Sequence, residues 1–342
     1  MKQGPQSQPL FIGMDVSKLT LDVSCLNASG SHHYQRFANT KTGYQQLNRW
    51  LLQQKGFTYC TSLFCLEHTG IYSRQVVAFL LLKSGRVWLE SSLHLKRSMG
   101  LVRGKNDKVD SLRIARYALT NHQQAKLVSP SNGTLQRLQD LQASRKRVDK
   151  ALQAIRVAVR ELQRVDVQAG RELAKLNQPA LQGLQKSKVA IEKRMLELIA
   201  SDSELKRIFE LVTSIKGVGP VLATELLICT HLFTRIVTPK QLACYCGVAP
   251  FAHTSGTSIR GKAGTSNFAN MQLKSTLHLA AMSSSRYVPD LKQYFQRKVA
   301  EGKSKMCVIN AIRNKLLQRV LAVVKRGTPY VLNYAEINLV KS

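Results

Sequence analysis

The sequence predicts a mixed α/β domain at the N-terminus, a helical coiled-coil middle, and a mostly helical C-terminal domain. Three observations point that way. In the first third, apolar runs of strand length alternate with helical patterns, and two of those runs end in an acid. In the middle, apolar residues step by threes and fours along a heptad seam. In the last third, helical stretches are separated by Gly-, Pro- and Ser-rich connections.

The N-terminal elements follow in order. Leu10–Asp15 is an apolar run ending in an acid, Leu21–Leu26 follows after a short turn, and His33–Phe37 makes a third strand of an antiparallel meander. Tyr44–Leu52 is helical. Thr61–Glu67 is the second apolar run ending in an acid. Ser73–Lys83 is a helix, Arg86–Glu90 a strand and Asp107–Leu119 a helix. Three strands followed by alternating helices and strands is the order of an RNase H-like fold.

The middle carries Leu138, Leu141, Val148, Leu152, Ile155, Val159 and Leu162 on one seam, with Arg145 filling one position. Pro179, with the Asn-Gln before it, is expected to break the helix. A second seam runs through Leu181, Leu184, Ile191, Met195 and Leu198. This spacing fits either an antiparallel hairpin or an intermolecular coiled coil over about residues 130–200. Expected boundaries are 1–127, 128–202 and 203–342. Three helical stretches close the chain, at about Met271–Ser284, Val288–Ala300 and Met306–Lys325.

Charge narrows the function. The 342 residues carry 51 Lys and Arg against 20 Asp and Glu, a net charge of +31. Such an excess repels itself unless a polyanion neutralises it, and nucleic acid does so with release of counterions. Seven cysteines without a CxxC pair argue for reduced thiols in a cytoplasmic protein rather than a disulfide scaffold. Cys244 and Cys246 stand too close for a usual zinc pair and read as packing. No apolar run is long enough for a bilayer span, so no membrane partner is expected.

Acids are scarce in this chain, so their positions carry information. Residues 1–110 hold six: Asp15, Asp22, Glu67, Glu90, Asp107 and Asp110. Asp15 and Glu67 end strands that lie side by side in the expected fold. Asp107 and Asp110 share one face at a helix start, although Asp107 also suits a helix cap. Four carboxylates converging on one sheet edge repel unless cations neutralise them. Hard oxygen donors select Mg²⁺ or Mn²⁺, and a pair of such ions can clamp a phosphodiester. Asp22 and Glu90 read as solvated or paired surface charges, and His68 as a neighbour of Glu67.

Three further segments suit nucleic acid. Arg145, Lys146, Arg147 and Lys150 form a basic run beside the seam. Ile215-Lys-Gly-Val-Gly-Pro resembles the turn of a helix-hairpin-helix, where Gly217 and Gly219 permit a tight bend. The N–H groups of the following helix would be free for a phosphate. Thr254–Ser266 is a Gly- and Ser-rich basic loop containing Arg260 and Lys262. Its hydroxyls either supply a nucleophile, activated by nearby cations, or only position DNA. Composition does not choose among Ser255, Ser258 and Ser266.

Taken in order, Phe-Ile-Gly-Met-Asp15-Val-Ser-Lys, Leu-Glu67-His-Thr-Gly, Asn-Asp107-Lys-Val-Asp110, Gly-Val-Gly-Pro and Ser255-Gly-Thr-Ser-Ile-Arg260-Gly carry a family likeness. The chain resembles, over nearly its whole length, the bridge-RNA-guided insertion-sequence transposases, which are related to the Piv-type DNA invertases. That resemblance implies a RuvC-like domain with Asp15, Glu67, Asp107 and Asp110 as its acidic tetrad. It implies a C-terminal transposase domain with Ser255 as nucleophile, and a transient covalent link to DNA. It also implies a noncoding guide RNA that pairs with donor and target DNA, and a homo-oligomer, dimer or tetramer, whose protomers share active sites. Many members carry a lysine and a glycine just after the catalytic loop, where this chain has Asn267 and Ala269. Two other readings of the same residues are a RuvC-like junction-resolving nuclease, which needs the acids but not Ser255, and a non-catalytic nucleic-acid-binding module.

Overall fold

In a computed structural model the chain divides into two compact units, Met1–Ser131 and Asn132–Ser342. The structure describes residues 9–68, 70–98, 106–128, 133–255, 259–265 and 268–331, with the side chains of 252–263 outside that set.

The first unit is a five-stranded mixed sheet with helices. Strands β1 (Phe11–Val16), β2 (Thr20–Leu26) and β3 (His32–Ala38) form the expected antiparallel meander. Helix α1 (Lys41–Leu52) follows, capped by Thr40, whose hydroxyl accepts from the Gly43 N–H. Strand β4 (Leu63–Glu67) lies parallel to β1, and β5 (Arg86–Glu90) lies parallel to β4 after helix α2 (Arg74–Leu82). The strand order is β3-β2-β1-β4-β5. Its central strands are apolar on both faces: Ile12, Met14, Phe64 and Leu66 face one cluster, and Phe11, Leu63 and Cys65 the other. The short helix α3 (Ser92–Ser98) follows β5 without a separate periodic signal of its own.

Helix α4 (Asp107–Asn121) lies directly on β1. A side chain at Gly13 would put its Cβ 2.2 Å from both the Ala115 nitrogen and the Ser111 carbonyl oxygen. Only glycine allows this approach. A buried 2.8 Å hydrogen bond between the Ser24 and Ser111 hydroxyls ties the same helix to β2. Gly13→Val is expected to destabilise the protein by about 1–3 kcal/mol or more, because backbone rather than a flexible side chain would have to move. Urea melts measure this, and an unchanged midpoint would show that α4 does not depend on that contact.

The second unit begins with two long helices, α5 (Gly133–Val165) and α6 (Val167–Ser201). Arg145 meets Glu192 at 2.6 Å, and Asp149 meets Lys188 at 2.7 Å. Advancing four residues on one helix moves back four on the other, so the pair is antiparallel. The seam residues therefore face each other within one chain. Pro179 does not break the helix as expected; it sits inside α6. The turn falls at Asp166 instead, whose Oδ1 accepts from the N–H groups of Gln168 and Ala169. An N-cap carboxylate satisfies donors that a helix start leaves orphaned. At Pro179 one backbone bond is lost, while the other turns of this 35-residue helix keep theirs.

Helices α7 (Ser203–Thr213), α8 (Pro220–Thr230) and α9 (Pro239–Tyr245) come next. Helix α8 is apolar nearly all round and runs through the core, where Leu222, Leu226 and Leu227 are buried. The segment expected as a flexible loop is an antiparallel hairpin: β6 (Pro250–Ser255) pairs with β7 (Ile259–Thr265). Strand pairing satisfies the backbone groups there, despite a composition that favours turns. Helices α10 (Met271–Tyr287), α11 (Pro289–Ala300) and α12 (Lys305–Arg326) complete the unit, at the places the periodicity gave them. Among the described residues no helix is long and apolar enough to cross a membrane.

Candidate active site

Strand register places the acids of the first unit. Met14 lies opposite Leu66, so the next step of the parallel ladder brings Asp15 and Glu67 to neighbouring C-terminal strand ends. Asp15 pairs directly with Asp22 across the antiparallel ladder. Cross-strand partners point to the same face. That face is the one Gly13 presents to α4, because Gly13 and Asp15 are two residues apart. Helix α4 buries Ser111, Ile114, Ala115 and Ala118 against the sheet. Asp107 and Asp110 extend this stripe into its first turn, above the strand ends. Asn106 caps the helix, its side chain accepting from the Lys108 N–H at 3.0 Å, so Asp107 is not the cap.

Electrostatics confirm the proximity. The carboxyl of Asp15 is pushed up to about 6, first by burial and then by the charges of Asp107, Glu67, Asp110 and Asp22. Burial disfavours the anion, and like charges disfavour it further. Two arginines absorb part of this charge. Arg36 donates from Nε to Asp22 at 2.9 Å and reaches Asp107 at 3.3 Å. Arg113 pairs with Asp110 at 2.7 Å.

Asp22 is thus no solvated surface acid. It is buried, and also accepts a 2.5 Å hydrogen bond from the Tyr34 hydroxyl. Sequence reasoning missed Asp22, Tyr34 and Arg36 as parts of this cluster. The only available signal was the hairpin register, which sets Asp22 against Asp15. Glu90 is paired as well, with His94 at 3.0 Å and the Tyr117 hydroxyl at 3.1 Å. His68 is exposed just beyond β4.

The donor set is all carboxylate oxygen, which fits a hard divalent cation. Asp15, Glu67, Asp107 and Asp110 are the residues that would hold it. As the side chains stand, with Asp107 and Asp110 turned to arginines, no group of three or more His, Cys, Asp or Glu among the described residues encloses a metal position.

In the second unit Ser255 ends β6, in register with Ile259, and Thr254 faces Arg260. The side chains of Ser255, Arg260 and Lys262 lie outside the described set, as do Ser258, Ser266 and Asn267. At the base of the hairpin, Lys274 donates from Nζ to the Thr265 hydroxyl at 3.1 Å. One turn further along α10, His278 Nδ1 lies 2.5 Å from Arg313 Nη2. A guanidinium only donates, so Nδ1 accepts and the imidazole carries its proton on Nε2. Burial and the Arg313 charge both lower the His278 pKa. Arg313 is buried, and no carboxylate pairs with it among the described residues. Neither Lys274 nor this histidine–arginine pair was legible in the sequence.

The basic run on α5 divides. Arg145 is mostly buried and held by Asp149 and Glu192, and Lys146 pairs with buried Glu225 at 3.1 Å. These two are committed to carboxylates of their own unit. Arg147 and Lys150 are exposed. The glycine turn leads into α8 as expected. Gly217 has φ +97, and a Cβ there would strike the Ser284 hydroxyl at 1.9 Å. Gly219 is the exposed N-cap residue, and Pro220 is the first helical residue.

Comparison with known proteins defines the class. Residues 12–165 match a transposase family with a DEDD domain of the IS110 type, and residues 209–296 match the Transposase IS116/IS110/IS902 family. The chain is therefore a DNA-recombining enzyme whose DEDD domain implies an RNase H-like fold and points to divalent-metal use. Both matched segments are similar to IS110-type transposases. Two pilin gene-inverting proteins are similar over nearly their whole length. That of Moraxella bovis is 26% identical over 94% of this chain and 97% of the relative, and that of Moraxella lacunata is 25% identical over the same shares. An uncharacterized 43.6 kDa protein of insertion element IS110 from Streptomyces coelicolor is 32% identical over 35% of this chain and 29% of its own length.

Proposed function

We propose that this transposase recombines DNA through a covalent serine intermediate, with Asp15, Glu67, Asp107 and Asp110 holding Mg²⁺ or Mn²⁺, and with DNA sites chosen by a noncoding RNA. The observation that carries the metal reading is Asp15, held near pKa 6 by burial and four neighbouring carboxylates. Functional carboxylates cluster in this way where a cation is to be bound. When bound, the metal supplies charge stabilisation at the transferring phosphoryl group.

Ser255 is the proposed nucleophile. Its Oγ forms a bond to phosphorus as the bond from phosphorus to a sugar oxygen breaks. The hydroxyl proton leaves with a base, and the sugar oxygen takes up a proton. Attack of a different sugar oxygen on the phosphoserine reverses the step and rejoins the strand. The phosphodiester energy is conserved, so no external energy source is needed. The pilin gene-inverting relatives fit a reaction that rearranges DNA rather than only cutting it.

Arg147, Lys150, Arg260 and Lys262, with the turn at Gly217 and Gly219, are the proposed backbone contacts. The net charge of +31 makes binding strongly salt-dependent. Making 6–10 phosphate contacts, the protein should lose about 10³–10⁵ in affinity between about 50 and 200 mM salt. A flat salt response would remove the polyanion argument.

RNA guidance is tested by recombination between two plasmids, with and without the noncoding transcript that flanks the gene. Recombination is expected only with the transcript, and altering its pairing segment should redirect the target. Equal recombination without RNA would refute the guidance.

A further inference from the structure

A further feature of the second unit is built from residues not used above. Helices α11 and α12 line a cleft of about 360 Å³, within the size range of ligand-binding clefts. Its walls include Asp290, Gln293, Tyr294, Arg297, Lys315 and Arg319. Three cations thus face one anion.

That anion is already committed. Asp290 forms an ion pair with Arg319, whose guanidinium also lies 5.0 Å from the centre of the Tyr330 ring. Arg319 is therefore a clamped structural wall. Arg297 and Lys315 are different. Both rest on the ring of Tyr294, Lys315 Nζ at 4.6 Å and the Arg297 guanidinium at 5.8 Å from its centre. Arg297 has one carboxylate near, Glu301 at 3.8 Å, and Glu301 is bound more closely by Lys298 at 2.6 Å. Lys315 makes no ion pair among the described residues. Two like charges thus rest on one aromatic ring, and the one carboxylate paired with either among the described residues, Glu301, is held more closely by Lys298.

An ammonium and a guanidinium lining one cleft can both donate to a phosphate. Cation–π contacts at an exposed site are weak and are readily exchanged for a phosphate. Once the cations swing to a phosphate, the Tyr294 ring they covered is free. A π face beside a phosphate site is the platform on which an unpaired base stacks. Exposed Gln293 offers an amide donor and acceptor at the rim. A free anion would leave the ring unused. A duplex cannot use it, because its bases present no free face.

We propose that the cleft between α11 and α12 binds one unpaired nucleotide of single-stranded nucleic acid, with its base on Tyr294 and its phosphate on Arg297 and Lys315. This concerns binding alone and stands independently of the metal and serine reading.

The test uses the full chain in EDTA, so that strand cutting plays no part. Fluorescence anisotropy is measured with labelled oligothymidine, oligouridine and a blunt DNA duplex. Tyr294→Ala should weaken single-strand binding about 5- to 150-fold, the range for one base–aromatic stack. Tyr294→Phe should bind as the wild type does, and duplex affinity should not change. A loss on oligouridine alone assigns the site to RNA, a loss on oligothymidine alone to DNA, and a loss on both to either strand. The double variant Arg297→Gln, Lys315→Gln should flatten the single-strand salt slope by about 0.7, the share of one phosphate. If Tyr294→Ala does not fold, the double variant decides by itself, because its side chains reach the surface. Wild-type single-strand affinity in Tyr294→Ala, an equal loss on duplex, or an unchanged salt slope in the double variant would overturn the proposal.

Discussion

Asp15→Asn is expected to abolish metal-dependent strand cleavage while making the metal-free protein more stable. The two effects share one cause. Asp15 is partly buried among four other carboxylates, and its pKa stands at about 6 against an ordinary 3.8. The fold therefore binds a proton more tightly than the unfolded chain does. Asp15 contributes most to stability below pH 3.8, and that contribution is lost as the pH rises through about 6. At neutral pH the native fold carries an unfavourable charge that asparagine lacks. Melts in EDTA should show a stability gap between variant and wild type that widens from about pH 4 to about pH 7. Mg²⁺ should raise the melting temperature of the wild type and leave that of Asp15→Asn unmoved, since only a bound ligand shifts the folding equilibrium. Cleavage should fall on the order of a thousandfold or more, the rate equivalent of several kcal/mol of charge stabilisation. An unchanged or lower melting temperature in the variant would mean that the acids are neutralised by Arg36 and Arg113 alone.

Ser255→Ala is the second large effect. A serine nucleophile has no substitute in a covalent mechanism, and its removal costs on the order of a millionfold where such nucleophiles have been deleted. Recombination should vanish while DNA binding and the Mg²⁺-dependent rise in melting temperature persist. The contrast separates the two units chemically: Asp15→Asn loses the metal response, and Ser255→Ala keeps it. A junction-resolving nuclease would behave differently, with Ser255→Ala still cutting DNA and leaving hydrolysed ends.

Much of the fold is legible because its signals are local. Runs such as Leu63-Phe-Cys-Leu-Glu67 are too apolar and too short for anything but a central strand, and the heptad steps from Leu138 to Leu162 leave one helical face. Where the sequence misleads, tertiary context outweighs local preference. Pro179 lies within one long helix whose other turns keep their bonds, and Asp166 makes the turn by capping. The segment around Ser255 has the composition of a loop and the backbone of a hairpin.

The candidate site was half legible. Scarcity together with placement at strand ends and a helix start marked Asp15, Glu67, Asp107 and Asp110 in a chain this basic. Scarcity does not distinguish a buried acid from a solvated one, so Asp22 passed for a surface charge until register set it against Asp15. Arg36 and Arg113 were invisible among 51 basic residues. The ion pairs of Arg145 and Lys146 were equally illegible, because their partners Glu192 and Glu225 lie far away in sequence.

The central claim is a metal-dependent covalent link between Ser255 and DNA. It is tested most directly by incubating the protein with its DNA, the flanking transcript and Mg²⁺, then quenching in denaturant and mapping the attached residue by mass spectrometry. The account predicts an adduct on Ser255 that is absent in EDTA, in Asp15→Asn and in Ser255→Ala. Cut DNA without an adduct, or an adduct on another residue, would contradict it.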